Sequence, residues 1–155
     1  AATPAGFLAM REQEGKKLSE DLAHSLQVIL AHVDHIELAS ERIVADYRTR
    51  LESKIKEVLA DKTMDESRVL TEVAIFADRM CVAEEIVRIR SHALQFEQFL
   101  HADEPVGRKM NFLVQELNRE VNTIGSKISD MDISTRVVEM KAELEKIREQ
   151  IQNVE

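Results

Sequence analysis

Residues 103–127 read DEPVGRKMNFLVQELNREVNTIGSK, and this stretch decides the fold of the chain. Pro105 and Gly107 end whatever precedes them, so a helix is predicted to begin near Val106. Six apolar residues then recur at spacings of three and four, the pattern of one buried helix stripe. They are Met110, Leu113, Val114, Leu117, Val121 and Ile124. The stretch therefore predicts an amphipathic helix over about 106–127 whose apolar stripe packs against other helices.

The polar residues of this helix are sorted by face, as a plot at about 100° per residue shows. One flank of the apolar stripe carries Lys109, Glu116, Glu120, Thr123 and Lys127. The opposite face carries Arg108, Gln115, Arg119, Asn122 and Ser126. Periodicity alone allows two interpretations of this sorting. It is either a solvated surface held by ion pairs one turn apart, or a site for an anion or a metal.

The rest of the chain repeats the helical spacing. It predicts a long helical arm over about 7–59 and helices over about 65–77, 82–100 and 133–153, the last with a heptad pattern. A helix of roughly fifty residues would be about 75 Å long, so the arm must pack along partner helices or break near Ser40. We therefore predict one all-α domain over residues 1–155, an elongated helical bundle with long antiparallel coiled-coil helices.

Composition narrows the functional class. Only 4 Gly and 2 Pro occur in 155 residues, and the single cysteine, Cys81, excludes a disulfide within the chain and fits a reducing cytosol. No apolar run approaches the ~20 residues that span a bilayer. The net charge of −8 argues against a broad basic groove for nucleic acid, although residues 103–127 carry four basic and four acidic side chains. We expect a cytoplasmic protein without a membrane segment, with room for a local anion or metal site.

Three runs of residues carry a family resemblance. They are ADRMCVAEEIVRIRSHALQF, EPVGRKMNFLVQELNREVNTIGSK and VVEMKAELEKIREQIQNVE. With MREQEGKKLSEDL near the start, they resemble the C-terminal half of the YicC/YloC family of bacterial endoribonucleases, over about residues 6–155. Two features depart from the family pattern. Cys81 stands where aspartate is frequent, and the family's N-terminal α/β half is not in this chain.

The resemblance implies a divalent-metal-dependent enzyme that cleaves RNA and assembles as a ring-like homo-oligomer, typically a hexamer. It also carries functional roles onto the second, third and central predicted helices. The positions concerned are Glu72, Arg79, Glu85, Arg88, His92, Arg108, Glu116, Asn118, Arg119, Glu120, Asn122 and Lys127.

Two pairs within that set suit a metal ion. Glu116 and Glu120 are one turn apart on the central helix, and Glu85 and His92 are two turns apart on the preceding helix. Mg²⁺ and Mn²⁺ prefer carboxylate oxygens, Mn²⁺ also accepts imidazole, and facing helices that supply such pairs build metal sites in bundles. We therefore predict that Glu85, His92, Glu116 and Glu120 are catalytic and bind Mn²⁺ or Mg²⁺. The predicted RNA-binding residues are Arg88, Arg108, Arg119, Asn122 and Lys127.

The sequence leaves three alternatives open. His92 can serve as a general base instead of a metal ligand. The chain can instead be a non-catalytic scaffold, in which heptads drive oligomerisation and the charged stripes are ion pairs within the bundle. RNA binding without cleavage is the third reading, and it predicts salt-sensitive retention of intact RNA.

Overall fold

A computed structural model describes residues 4–60, 63–102 and 105–154, with side chains from residue 14 to residue 153 within those ranges. Every regular element in them is an α-helix. The helices are α1 (Pro4–Leu59), α2 (Glu66–Arg79), α3 (Ala83–Leu100), α4 (Gly107–Lys127) and α5 (Met131–Val154). The predicted all-α bundle class is confirmed. Asp103 and Glu104 of the quoted stretch, and the remaining residues of the predicted 1–155 domain, lie outside the described residues.

Helices α1, α3, α4 and α5 form a four-helix bundle around one apolar core. The register of α3 against α4 is antiparallel, because Arg88 meets Glu120 whereas the earlier Glu85 meets the later Lys127. The six residues of the predicted α4 stripe are all buried in this core. Burial of such a stripe is the main stabilising contribution that a helix receives from tertiary packing. One edge of α4 is thereby held against α3.

Helix α1 is continuous over 56 residues, which makes it about 84 Å long. The predicted alternative of a break at Ser40 is wrong. The Ser40 hydroxyl donates a hydrogen bond to the carbonyl oxygen of Glu37 at 2.8 Å. Its hydrogen bond is therefore made within α1, and it does not cap a new helix. The first half of α1 buries residues from Leu22 to Ala39 in the bundle, and the second half continues past it.

That second half, residues 41–59, pairs with α2 to form what we call the two-helix extension. The rings of Tyr47 and Phe76 stack between its helices with centroids 3.8 Å apart. Two helices alone cannot enclose a core, because each has only one neighbour against which to bury its apolar stripe. The extension accordingly leaves Val58, Leu70 and Ile75 exposed.

Helix α5 begins at Met131, two residues before the predicted start, because Asp130 caps it. The carboxylate of Asp130 accepts a hydrogen bond from the Ile133 N–H at 3.1 Å. Helices α4 and α5 approach closely at Gly125, where an added Cβ would lie 3.2 Å from Val137 Cγ1. This contact fixes the C-terminal end of α4. None of the helices in the described ranges has the length and apolar character that a bilayer crossing requires.

Candidate active site

Two carboxylates are buried where α3 meets α4. The side chains of Glu85 on α3 and Glu120 on α4 belong to residues that are 3% and 6% exposed. Both lie on the flanks by which these helices face each other, at the border of the apolar core. Burying an ionised carboxylate is costly unless it is paired and hydrogen-bonded. The arrangement therefore demands cations at the same interface.

Arg88 and Lys127 supply those cations. Arg88 Nε donates to Glu120 Oε1 at 2.8 Å, and Lys127 Nζ donates to Glu85 Oε1 at 2.8 Å. Arg88 Nη2 also lies 3.6 Å from Glu85 Oε1, so Arg88 is close to both carboxylates. We call Glu85, Arg88, Glu120 and Lys127 the carboxylate cluster. It joins the two helices by charge as well as by apolar packing.

The cations of the carboxylate cluster face solvent. The side chains of Arg88 and Lys127 are 46% and 37% exposed, whereas those of Glu85 and Glu120 are only 4% and 7% exposed. Lys127 Nζ is further fixed by a 3.1 Å hydrogen bond to the carbonyl oxygen of Cys81. Two positive groups are thus held in place at the surface above two buried negative ones.

Donor capacity remains on both cations. The Arg88 Nη1 and Nη2 nitrogens lie 3.6 Å from Glu84 and Glu85 oxygens, which is longer than a hydrogen bond. An ammonium group carries three N–H donors, and Lys127 uses two of them on Glu85 and Cys81. The outward N–H groups can therefore bind an anion such as a phosphodiester without breaking the hydrogen bonds that hold the cluster.

The charge state of the cluster follows from its pairing. Burial is the largest influence on Glu85 and raises its pKa, but the hydrogen bond from Lys127 and the charges of Lys127 and Arg88 together outweigh it. The pKa of Glu85 therefore lies below its ordinary value of 4.5. The hydrogen bond to Glu120 raises the pKa of Arg88, and the hydrogen bond to Glu85 raises the pKa of Lys127. Glu85, Arg88 and Lys127 are all charged at neutral pH.

The other two predicted catalytic residues flank the cluster. His92 lies one turn after Arg88 on α3, and its Nδ1 atom is buried without a hydrogen-bond partner in the described part of the chain. Glu116 lies one turn before Glu120 on α4 and is half-buried. The second oxygen of Glu85, Oε2, is also buried and lacks a partner among the described residues.

The predicted metal centre is not complete within these ranges of one chain. The Oε1 atoms of Glu120 and Glu85 bind Arg88 and Lys127. Nowhere in the described residues do three His, Cys, Asp or Glu side chains group as metal ligands. Glu85 Oε2 and His92 Nδ1 remain as two unbonded atoms that could ligate a metal, whereas Mg²⁺ needs about six ligands. The assignment of Glu85, His92, Glu116 and Glu120 to a metal stays a prediction.

The predicted RNA-binding residues fall into separate groups. Arg88 and Lys127 belong to the carboxylate cluster, whereas Arg119 and Asn122 lie on the outer face of α4. The outer face carries a shallow, open depression between α4 side chains, lined by Gln115, Asn118, Arg119, Asn122, Thr123 and Ser126. Arg108 is exposed near the start of α4, about 18 Å along the helix axis from Glu120.

The two α2 positions that the resemblance implied do not join the cluster. Glu72 instead lines a cavity of about 220 Å³ between α1 and α2, beside Arg68 and Val69. Arg79 is the exposed last residue of α2. Both belong to the two-helix extension.

Comparison with known proteins decides the family. Residues 36–155 match the family model described as Endoribonuclease YicC-like, C-terminal. This chain belongs to the YicC-like endoribonuclease family. The chain is 52% identical to the Probable endoribonuclease YicC of Clostridioides difficile over 147 residues, which cover 94% of this chain and 50% of that protein.

A second YicC relative gives the same picture. The Probable endoribonuclease YicC of Haemophilus influenzae is 38% identical over 149 residues, 96% of this chain and 51% of that protein. The chain thus spans about half the length of the curated relatives that it matches. The family resemblance carried by the three quoted runs is confirmed.

Sequence analysis of this YicC-like chain missed one residue of the α4 surface. Phe112 is 59% exposed and lies on the outer face, seven residues before Arg119 and four after Arg108. Its spacing to both arginines was available as a signal, since residues four and seven apart share a helix face. Phe112 does not belong to the apolar stripe from which the buried face was predicted.

Proposed function

We propose that this chain is the helical part of a divalent-metal-dependent endoribonuclease and that the α3–α4 surface binds the RNA phosphodiester. The proposal rests on the family and on one observation. The buried carboxylates of Glu85 and Glu120 hold two half-exposed cations, Arg88 and Lys127, with N–H groups still free. A solvated ion pair would leave both partners exposed, whereas this arrangement fixes positive charge at a defined point of the surface.

The chemistry assigned to the chain's own residues is binding and charge stabilisation. Arg88 and Lys127 would neutralise the scissile phosphodiester and the additional negative charge that develops on its oxygens during cleavage. Glu120 would orient Arg88 through the 2.8 Å bond to Nε, which leaves both Nη groups for phosphate oxygens. Arg119 and Asn122 on the outer face would bind the adjoining strand.

The metal requirement is kept as part of the proposal. Mg²⁺ or Mn²⁺ would be bound near Glu85, His92, Glu116 and Glu120, and ligands from beyond the described residues would complete its coordination. A second copy of the chain, or the other half of the longer protein that its relatives represent, can supply them. The unpartnered Glu85 Oε2 and His92 Nδ1 atoms support a cation at this place.

Assembly is a separate part of the proposal. We propose a homo-oligomer, with the hexamer of the family as the expected form, in the cytoplasm. Exposed Val58, Leu70 and Ile75 on the two-helix extension support a further protein contact, because none of the described residues covers these apolar side chains.

The scaffold alternative has an observation in its favour. Each cation of the carboxylate cluster already has a carboxylate partner, as an ion pair that only joins two helices would have. In that case RNA would bind weakly or not at all, and no cleavage would occur.

Cleavage of a labelled structured RNA by this chain tests the proposal. The reaction is run with Mn²⁺, with Mg²⁺ and with EDTA, and binding of the same RNA is measured at two salt concentrations. We expect metal-dependent cutting and binding that weakens with salt. Absence of cutting by folded protein in every metal would contradict cleavage by this chain alone and would leave the other half of the longer protein as a required part of the site. Absence of binding would favour the scaffold.

A further inference from the structure

Phe112 is an exposed aromatic residue in a chain with few aromatics. The other aromatic side chains in the described ranges have packing roles. Phe96 is fully buried, Tyr47 stacks on Phe76, and Phe99 lies under Lys109, whose Nζ is 5.7 Å from the ring centroid. Phe112 is 59% exposed on the solvent side of α4. Its ring lies outside the core cluster and is available for contact with a ligand.

The surroundings of Phe112 are polar, with amides and one arginine on one side and Glu116 one turn along on the other. Gln115, Arg119 and Asn122 follow it on the same helix face, at three, seven and ten residues. Within the described residues the guanidinium of Arg119 makes no ion pair, although Glu116 lies only one turn away. The adjoining open depression on α4 is also lined by Asn118. Amide and guanidinium groups here are available for a ligand.

This set of groups matches the needs of unpaired RNA. An aromatic ring stacks on a base of any identity, and exposed amides hydrogen-bond the edges of unstacked bases. A free arginine binds the phosphate between two nucleotides. From Phe112 to Ser126 the face is about 21 Å long, which accommodates several nucleotides rather than one. An apolar protein partner would instead leave the three amides of Gln115, Asn118 and Asn122 poorly satisfied.

We propose that the outer face of α4 is a single-strand RNA subsite in which Phe112 stacks on a base. Gln115 and Asn118 read base edges in this subsite, and Arg119 holds the backbone. The inference rests on the proposed function, because it specifies that the RNA bound at this face is unpaired. It places unpaired nucleotides on a face of α4 that is turned by about 100° from the buried Glu120, since Arg119 and Glu120 are consecutive on the helix.

A fluorescent substitution tests the stacking directly. The chain contains no tryptophan, so Phe112→Trp introduces one indole at the subsite. Titration with a short unstructured RNA in EDTA should quench that emission as a base stacks on the ring. Phe112→Ala and Phe112→Leu should each weaken RNA binding by about tenfold to a hundredfold, and Phe112→Tyr should bind as the wild type does.

Leu94→Ala is the matched control, because Leu94 is an exposed apolar residue on α3 with 58% exposure. It should leave RNA affinity unchanged, and circular dichroism should show that every variant is folded. Wild-type affinity in Phe112→Leu, or unchanged emission of Phe112→Trp at saturating RNA, would overturn the stacking role while the proposed function stands. A smaller oligomer in Phe112→Ala with unchanged RNA affinity would assign the residue to a protein interface and also overturn it. Failure of the wild type to bind any RNA would remove the proposed function as well.

Discussion

Arg88 and Glu120 are 32 residues apart in the sequence, yet Arg88 Nε donates a 2.8 Å hydrogen bond to Glu120 Oε1 across the α3–α4 interface. The antiparallel register of the two helices creates this contact. Glu120 accepts the hydrogen bond from Nε, so neither Nη group is used on it. Nη1 lies 3.6 Å from the exposed Glu84, and Nη2 lies 3.6 Å from the buried Glu85. A buried acid therefore sets the direction in which an arginine presents its remaining donors.

Stability should fall at acid pH through Glu85. Its pKa is lower in the folded chain than its ordinary value of 4.5, so the stabilising contribution is present above that value and is lost as the pH falls through the lowered pKa. Glu85→Gln should flatten this part of the dependence of the unfolding free energy on pH. Denaturant unfolding at a series of acid pH values measures it.

Glu84→Gln is the control for that measurement, because the Glu84 side chain is 83% exposed and lies 3.6 Å from the same arginine. It should keep the acid-dependent loss of stability. Identical pH profiles for Glu85→Gln and the wild type would show that Glu85 is not the titrating group.

Arg119→Ala should change the salt dependence of RNA binding. A single arginine–phosphate contact contributes about 0.7 to the slope of log affinity against log salt for a single strand. We expect the slope to become shallower by about that amount, with weaker binding to all RNA sequences.

Arg48→Ala is the matched arginine variant, because Arg48 pairs with Glu52 on the two-helix extension at 2.9 Å. Its salt slope should equal that of the wild type. Equal slopes for Arg119→Ala and the wild type would remove Arg119 from the RNA-binding surface.

Two glycines should respond differently to alanine. Gly15 lies in α1 with nothing within 4 Å of an added Cβ, so Gly15→Ala should stabilise the chain by about 0.5–1 kcal/mol through helix propensity. At Gly125 the new methyl group would lie 3.2 Å from Val137 Cγ1, which must shift to make room. Gly125→Ala should therefore gain less or lose stability. Thermal unfolding of both variants measures the difference, and equal gains would argue against the close α4–α5 contact.

Local patterns predicted the helices and their buried faces well. Apolar spacing is a property of a single helix, so the α4 stripe from Met110 to Ile124 could be placed inward before any packing was known. The start of α5 was missed by two residues, although Asp130 carries an ordinary N-cap signal. The helix break considered at Ser40 is absent, because a serine hydroxyl can hydrogen-bond to a carbonyl of its own helix as well as cap a new one.

Relationships between helices could not be predicted from those patterns. The pairs Arg88–Glu120 and Glu85–Lys127 depend on the register of α3 against α4, which the pattern of a single helix does not determine. The sequence therefore indicated that acids and bases share one flank, but not that cations would bind the very carboxylates predicted to hold a metal. The exposure of Phe112 likewise depends on which helices cover α4 and which side they leave open.

The most direct test of the central claim is single-turnover cleavage of RNA by Glu120→Gln with Mn²⁺ and with Mg²⁺, beside Glu143→Gln. Glu143 is the matched control, because it pairs with Lys146 at 3.2 Å within α5 and its side chain is 17% exposed. We predict that Glu120→Gln loses cleavage by at least about a hundredfold with its helicity intact, while Glu143→Gln cleaves as the wild type does. Wild-type cleavage by Glu120→Gln would contradict the assignment of the active site to the α3–α4 surface.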